Sequence, residues 1–139
     1  TPMQWTSDIQ AGFTTGIPWI SVNPNYVNIN AKDALAEPQS IFTTYQNLIR
    51  LRHDEDWVTT GETLFLDSVD SVIAYLRKTS HQTILVVINL SSYPQNFESD
   101  FIIKRLIIGN VSFPDSLSMV LLQPWQAFAI EIDSVTRED

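Results

Sequence analysis

The sequence contains no cysteine. Disulfides, zinc–thiolate sites and cysteine nucleophiles are therefore excluded, and the lack of thiols fits a reducing cytoplasm, the expected location. Histidine is almost as scarce. His53 and His81 are the only two, so a histidine-rich metal centre is not expected, and neither a metal nor a cofactor is predicted. Basic residues number 8 against 16 acidic ones, a net charge of −8. That removes the basic footprint of a nucleic-acid binder, and a negative surface is repelled by anionic membranes. No apolar run approaches the roughly 18 residues of a membrane-spanning helix.

What is present is a globular composition: 139 residues, 44% hydrophobic and 17% charged, enough for one ordinary domain with a core. Residues 1–38 read as a long loop, because Pro2, Pro18, Pro24 and Pro38 with Gly12 and Gly16 forbid a long helix there. Asn30 can cap one short helical piece, Ala31 to Ala36, ended by Pro38. Long irregular loops in compact domains usually carry function.

Residues 40–55 read as the one substantial helix, with Ser40 as N-cap. Ile41, Tyr45, Leu48 and Arg52 follow helical spacing, and Phe42 and Ile49 widen the apolar stripe. Asp54-Glu55-Asp56 places acids where the helix dipole favours cations, so the helix is expected to stop near His53.

From Gly61 the pattern changes to strands: Glu62–Leu66, Val72–Arg77, Thr83–Asn89, Ile102–Ile108, Met119–Leu122 and Gln126–Ile132. The near-continuous apolar run Thr83–Asn89 suits a central strand buried on both faces. Turn signals separate the strands, among them Tyr93-Pro94, Gly109-Asn110, Pro114-Asp115 and Gln123-Pro124. Six or more strands with short turns predict an antiparallel β-sandwich. The expected organisation is α+β: a loop-and-helix region over residues 1–58, a β-sandwich over 59–133 and a polar, frayed tail over 134–139.

The acids form no evident pair for acid–base chemistry. Asp54, Glu55 and Asp56 are adjacent and read as a solvated surface. Met3, Gln4, Trp5, Phe13 and Trp19 are of a different kind. An aromatic face with a nearby amide can hold a sugar, whose ring has apolar C–H faces and polar edges. Trp19 reads as a residue that pins the loop. Asn23, Asn25 and Tyr26 read as loop architecture. Trp125 reads as a core plug between sandwich and helix, and Tyr75 and Arg77 share one strand face.

Thr1-Pro2-Met3-Gln4-Trp5, Ala11-Gly12-Phe13-Thr14 and Pro18-Trp19-Ile20 with Val22-Asn23-Pro24-Asn25-Tyr26 together resemble one family. It is the α-glucosidases of the α-amylase superfamily, of the oligo-1,6-glucosidase, trehalose-6-phosphate hydrolase and dextran glucosidase type. The string is similar to the loop after their eighth barrel strand. Leu48-Ile49-Arg50-Leu51-Arg52 and Gly61 resemble the last barrel helix and the glycine after it. Ala74-Tyr75-Leu76-Arg77, Leu85-Val86-Val87-Ile88-Asn89-Leu90-Ser91 and Leu122-Gln123-Pro124-Trp125-Gln126-Ala127 resemble strands of the C-terminal β-domain.

The resemblance implies the C-terminal part of a retaining glycoside hydrolase that cleaves α-glucosidic bonds in short oligosaccharides. The family's three catalytic carboxylates precede this segment, so none is carried onto this chain and the isolated chain is expected to be inactive. Thr6 stands where the family usually has Asp, and Gln126 where it usually has Glu. The implied role is to cap the barrel and to supply part of the substrate-cleft wall through Gln4 and Trp5. The partner is then an oligosaccharide bound through the parent enzyme. The alternative from the residues alone is a free-standing carbohydrate-binding β-sandwich module, which needs an exposed aromatic platform. Separated from a barrel, the helix stripe and loop aromatics are expected to pack on another copy or on each other.

Overall fold

A computed structural model describes residues 1–112 and 116–133. The Pro114-Asp115 turn and the polar tail expected over 134–139 lie outside the described residues. The chain divides into two compact units, Thr1–Asp54 and Glu55–Asp139.

In the first unit the opening loop turns sharply at Gln10, Ala11 and Gly12, all with φ between 56° and 64°. Three successive left-handed residues are costly for any but glycine. Gly12 has a further constraint: a Cβ there would lie 2.7 Å from Thr6 Oγ1. Helix α1 spans Ala31–Ala36, with Asn30 as its N-cap accepting from Asp33 N. Helix α2 spans Ile41–Asp54, where Ser40 Oγ accepts from Thr43 N at 3.1 Å. These bounds agree with the expected cap residues; α2 runs one residue past His53. Its apolar stripe stays exposed at Ile41, Phe42, Tyr45, Leu48 and Ile49.

In the second unit the acids that end α2 open another short helix, α3, Asp56–Thr59. No separate local signal marks it, because the acid run reads as a helix end. At a new N-terminus the same charges are favourable. Gly61 follows α3 because a Cβ there would meet the Trp57 carbonyl oxygen at 2.6 Å.

Seven strands follow: β1 Glu62–Phe65, β2 Val72–Lys78, β3 Thr83–Asn89, β4 Gln95–Phe97, β5 Ile103–Gly109, β6 Val120–Leu122 and β7 Ala127–Ile132. Six match expected strands to within a residue or so at each end; β4 is additional. They form a five-stranded antiparallel sheet, β1-β2-β3-β7-β5, and a two-stranded sheet, β4-β6. The sandwich core lies between them. Val72, Ala74, Leu85, Val87, Phe128 and Ile130 of the large sheet meet Phe97, Val120 and Leu122 of the small one. The α+β arrangement of a helical segment followed by an antiparallel sandwich is thus the observed fold.

β5 and β7 are joined by charge as well as by backbone. Arg105 lies opposite Glu131, and its Nε is 2.7 Å from Glu131 Oε2; Lys104 Nζ is 3.4 Å from Oε1. The Arg105 hydrogen bond holds the Glu131 carboxyl below the usual carboxylate range, partial burial opposes this, and Lys104 adds to the lowering. A depressed carboxylate stabilises the fold above its unfolded-state pKa of about 4.3, and that stability is lost as pH falls through the folded value. With Arg105 half exposed, the contribution should be no more than about 1 kcal/mol. The stability difference between the natural chain and Glu131→Gln should therefore shrink as pH falls below about 4.3, the unfolded-state value. Urea unfolding at several pH values checks this; a constant difference would contradict it.

Candidate functional site

The residues singled out for sugar binding lie in a loop that is tied down by backbone hydrogen bonds. The first N–H groups of α1 need acceptors outside the helix. Ala31 N donates to Gln4 O at 2.8 Å and Lys32 N to Trp5 O at 3.0 Å. On the other side, Trp5 N and Thr6 N both donate to Ala11 O, at 2.9 and 3.1 Å. Residues 4–6 are thus clamped between the left-handed turn and the start of α1.

The Gln4 side chain extends the clamp. Its Nε2 donates to Asn25 Oδ1 at 2.8 Å and to Ile29 O at 2.6 Å. Both amide protons are therefore spent on the loop itself. Asn23 Oδ1 accepts from Asn25 N at 3.2 Å, and buried Asn30 donates to Tyr26 O and to Asp33 Oδ2. This bonding agrees with reading Asn23 and Asn25 as loop architecture. Asn25 and Ile29 as partners of Gln4 escaped sequence reasoning, since no local pattern links positions so far apart.

Trp5 is half exposed, at 51%. Phe13 and Met3 are also about half exposed, and Trp19 is 94% exposed at the loop surface. These aromatics are not buried against one another, so packing within the loop does not account for them. Thr6, in the position of the family's usual acid, donates from Oγ1 to Asp8 Oδ2 at 2.8 Å and accepts from Asp8 N.

The adjacent acids have structural partners instead of a shared site. Glu55 Oε2 accepts from Trp57 Nε1 at 3.2 Å. Asp56 Oδ1 accepts from Gln82 Nε2 at 3.2 Å, and its Oδ2 is 3.6 Å from His81 Nε2. Arg77 donates from Nε to Trp57 O and from Nη2 to Val58 O, and its Nη1 bonds Thr63 Oγ1. That holds the end of α3 on the sheet through backbone carbonyls. Among the described residues there is no group of three His, Asp or Glu placed to hold a metal ion, and no helix long and apolar enough to cross a membrane.

One sequence reading is overturned here. Trp125 is not part of the sandwich core: the residue is 58% exposed and its backbone is left-handed, φ +59°.

Residues 1–61 match the family model "Alpha amylase, catalytic domain". Over 132 residues the chain is 43% identical to a glucan 1,6-alpha-glucosidase of Streptococcus pneumoniae, covering 95% of this chain and 25% of that protein. The chain belongs to the α-amylase superfamily. An oligo-1,6-glucosidase of Heyndrickxia coagulans is 40% identical over 128 residues, 91% of this chain and 23% of that one. The crystal structure of a trehalose-6-phosphate hydrolase from Bacillus licheniformis superimposes with a TM-score of 0.81 at 34% identity, over 95% of this chain and 25% of that one. The chain therefore spans about a quarter of the length of the curated superfamily members it matches.

Proposed function

We propose that this chain is the C-terminal segment of a retaining α-glucosidase that cleaves α-glucosidic bonds in short oligosaccharides. The observation that carries this reading is the 43% identity to a glucan 1,6-alpha-glucosidase along 95% of the chain. In the parent, residues 1–58 are the last βα loop and helix of the catalytic barrel, and residues 59–133 form a sandwich that caps it. The chemistry belongs to carboxylates elsewhere in the parent; this chain shapes the cleft wall and is inactive alone.

The names of several relatives, glucan 1,6-alpha-glucosidase and oligo-1,6-glucosidase, support an α-1,6 bond as the preferred substrate linkage. Glucose release by the full-length protein from isomaltose, maltose and sucrose tests this. Isomaltose should be hydrolysed fastest. Rearrangement of sucrose without release of glucose would replace the hydrolase reading with an isomerase one.

In this reading the cleft wall includes Trp5, with its indole offered as a sugar-stacking face and its backbone fixed by α1 and the left-handed turn. Gln4 contributes its carbonyl oxygen, since its amide protons hold Asn25 and Ile29. Trp5→Ala in the full-length protein should lower kcat/KM by about 10- to 100-fold, the loss of one good aromatic contact. An unchanged kcat/KM would remove Trp5 from the cleft.

A further inference from the structure

Between β4 and β5 the chain runs Glu98-Ser99-Asp100-Phe101-Ile102, and Ser116-Leu117-Ser118 stands just ahead of β6. The β4–β6 ladder ends at Phe97 and Val120. Beyond it the two stretches stay together, because Ser99 N donates to Leu117 O at 3.0 Å. Ile102 O accepts from Asp133 N, also at 3.0 Å, which ties the first stretch to the end of β7. These segments line a recess of about 370 Å³, within the range of about 300–1,000 Å³ usual for small-molecule sites.

The lining is of two kinds. Leu117 is buried, and partly buried Phe101 packs on the sandwich core beside it; they form an apolar floor. Asp100, Ser116 and Ser118 are exposed, and the two serine hydroxyls bond each other at 3.1 Å. Ser99 differs from both groups. Its Oγ is shielded from solvent, and among the described residues it is the one buried side-chain polar atom with no hydrogen-bond partner. Such an orphan is rare and unfavourable, and it calls for a group that the polypeptide does not supply. A single water pairs the hydroxyl but takes up only about 30 Å³ of the recess.

The donor set narrows the ligand. A bound metal ion needs several carboxylates or imidazoles, and no group of three lies together among the described residues. An anion meets the Asp100 carboxylate with no Lys or Arg in the lining. A purely apolar ligand leaves Ser99 Oγ unpaired. A hydroxyl both donates and accepts, so a neutral cyclic polyol satisfies Ser99 and Asp100 while its C–H face covers Phe101 and Leu117.

We propose that this recess binds one neutral sugar residue, with a ring hydroxyl paired to Ser99 Oγ, another donating to Asp100, and the C–H face resting on Phe101 and Leu117. All of these residues lie in the second unit, whereas Gln4 and Trp5 lie in the first, and the proposal stands without the glucosidase reading.

Hydrogen–deuterium exchange of the full-length protein, with glucose added stepwise, tests it. Amides in segments 98–103 and 116–119 should slow saturably. Ser99→Ala should raise the glucose concentration for half-maximal slowing about threefold or more, the loss of one hydrogen bond. Its thermal midpoint should stay level or rise, since the hydroxyl removed has no protein partner. Glucose 6-phosphate should slow the two segments less than glucose does. No saturable slowing, slowing that Ser99→Ala leaves unchanged, or a lowered midpoint for that variant would overturn the proposal. Equal slowing by glucose 6-phosphate would overturn its restriction to neutral sugars. Turnover of 4-nitrophenyl α-glucoside should be the same in Ser99→Ala and the natural protein. An inactive full-length protein would refute the glucosidase reading and leave the exchange result intact.

Discussion

Replacing Asn89 with alanine is expected to destabilise the sheet-bearing unit by about 2–4 kcal/mol. Asn89 ends β3 with its side chain wholly buried. Its Nδ2 donates to Tyr93 O at 2.8 Å and Gln123 O at 2.9 Å, and its Oδ1 accepts from Ser91 N at 3.0 Å and Ser91 Oγ at 2.9 Å. The full capacity of the amide is in use. Alanine would remove four hydrogen bonds: Tyr93 O keeps Ser91 Oγ and Gln123 O keeps Gln126 N as donors, but Ser91 N loses its acceptor, and a buried group left unpaired costs about 1–3 kcal/mol unless water reaches it. Asn89→Asp should be as harmful, because a carboxylate would face two carbonyl oxygens where an NH2 now donates. Urea unfolding followed by circular dichroism measures both variants. A loss below about 1 kcal/mol for either would show that the two loops hold together without this amide.

The comparable effect in the apolar core is Leu85→Ala, with an expected loss of about 2–5 kcal/mol. Leu85 lies in the middle strand of the large sheet, fully buried among core residues of both sheets. Removing three heavy atoms forfeits their burial and leaves a cavity that hydrogen-bonded strands on either side cannot close. Val86→Ala is the matched control, because Val86 points to the other face and is only partly buried; its cost should be visibly smaller. Equal losses would mean that the two faces of β3 are alike in packing, contrary to the structure.

How much could be read from residues alone depended on whether the signal was local. The apolar run of β3 appeared at its expected bounds, and so did α1, because a buried central strand and an Asn-capped short helix announce themselves within a few positions. Strand β4, Gln-Asn-Phe, did not: three residues with one apolar side chain carry no usable period. Helix α3 was hidden because Asp54-Glu55-Asp56 fits both the end of one helix and the beginning of the next. At Trp125 the sequence Pro-Trp before an alternating strand suggested a buried ring, and the left-handed backbone that turns it outward depends on Ser91 and Asn110, which are distant in the chain. In the opening loop the family resemblance, which sets Gln4 and Trp5 just after a barrel strand, points to a sugar-facing surface there. What they could not show is that the Gln4 amide is engaged by Asn25 and Ile29, a contact set by the folding of the whole loop.

The most direct test of the central claim compares two proteins on one substrate: turnover of 4-nitrophenyl α-glucoside by the full-length protein and by the 139-residue chain purified free of host glucosidase. The account predicts release of nitrophenol by the full-length protein and none by the chain. Turnover by the chain itself, or its absence in the full-length protein, would contradict it.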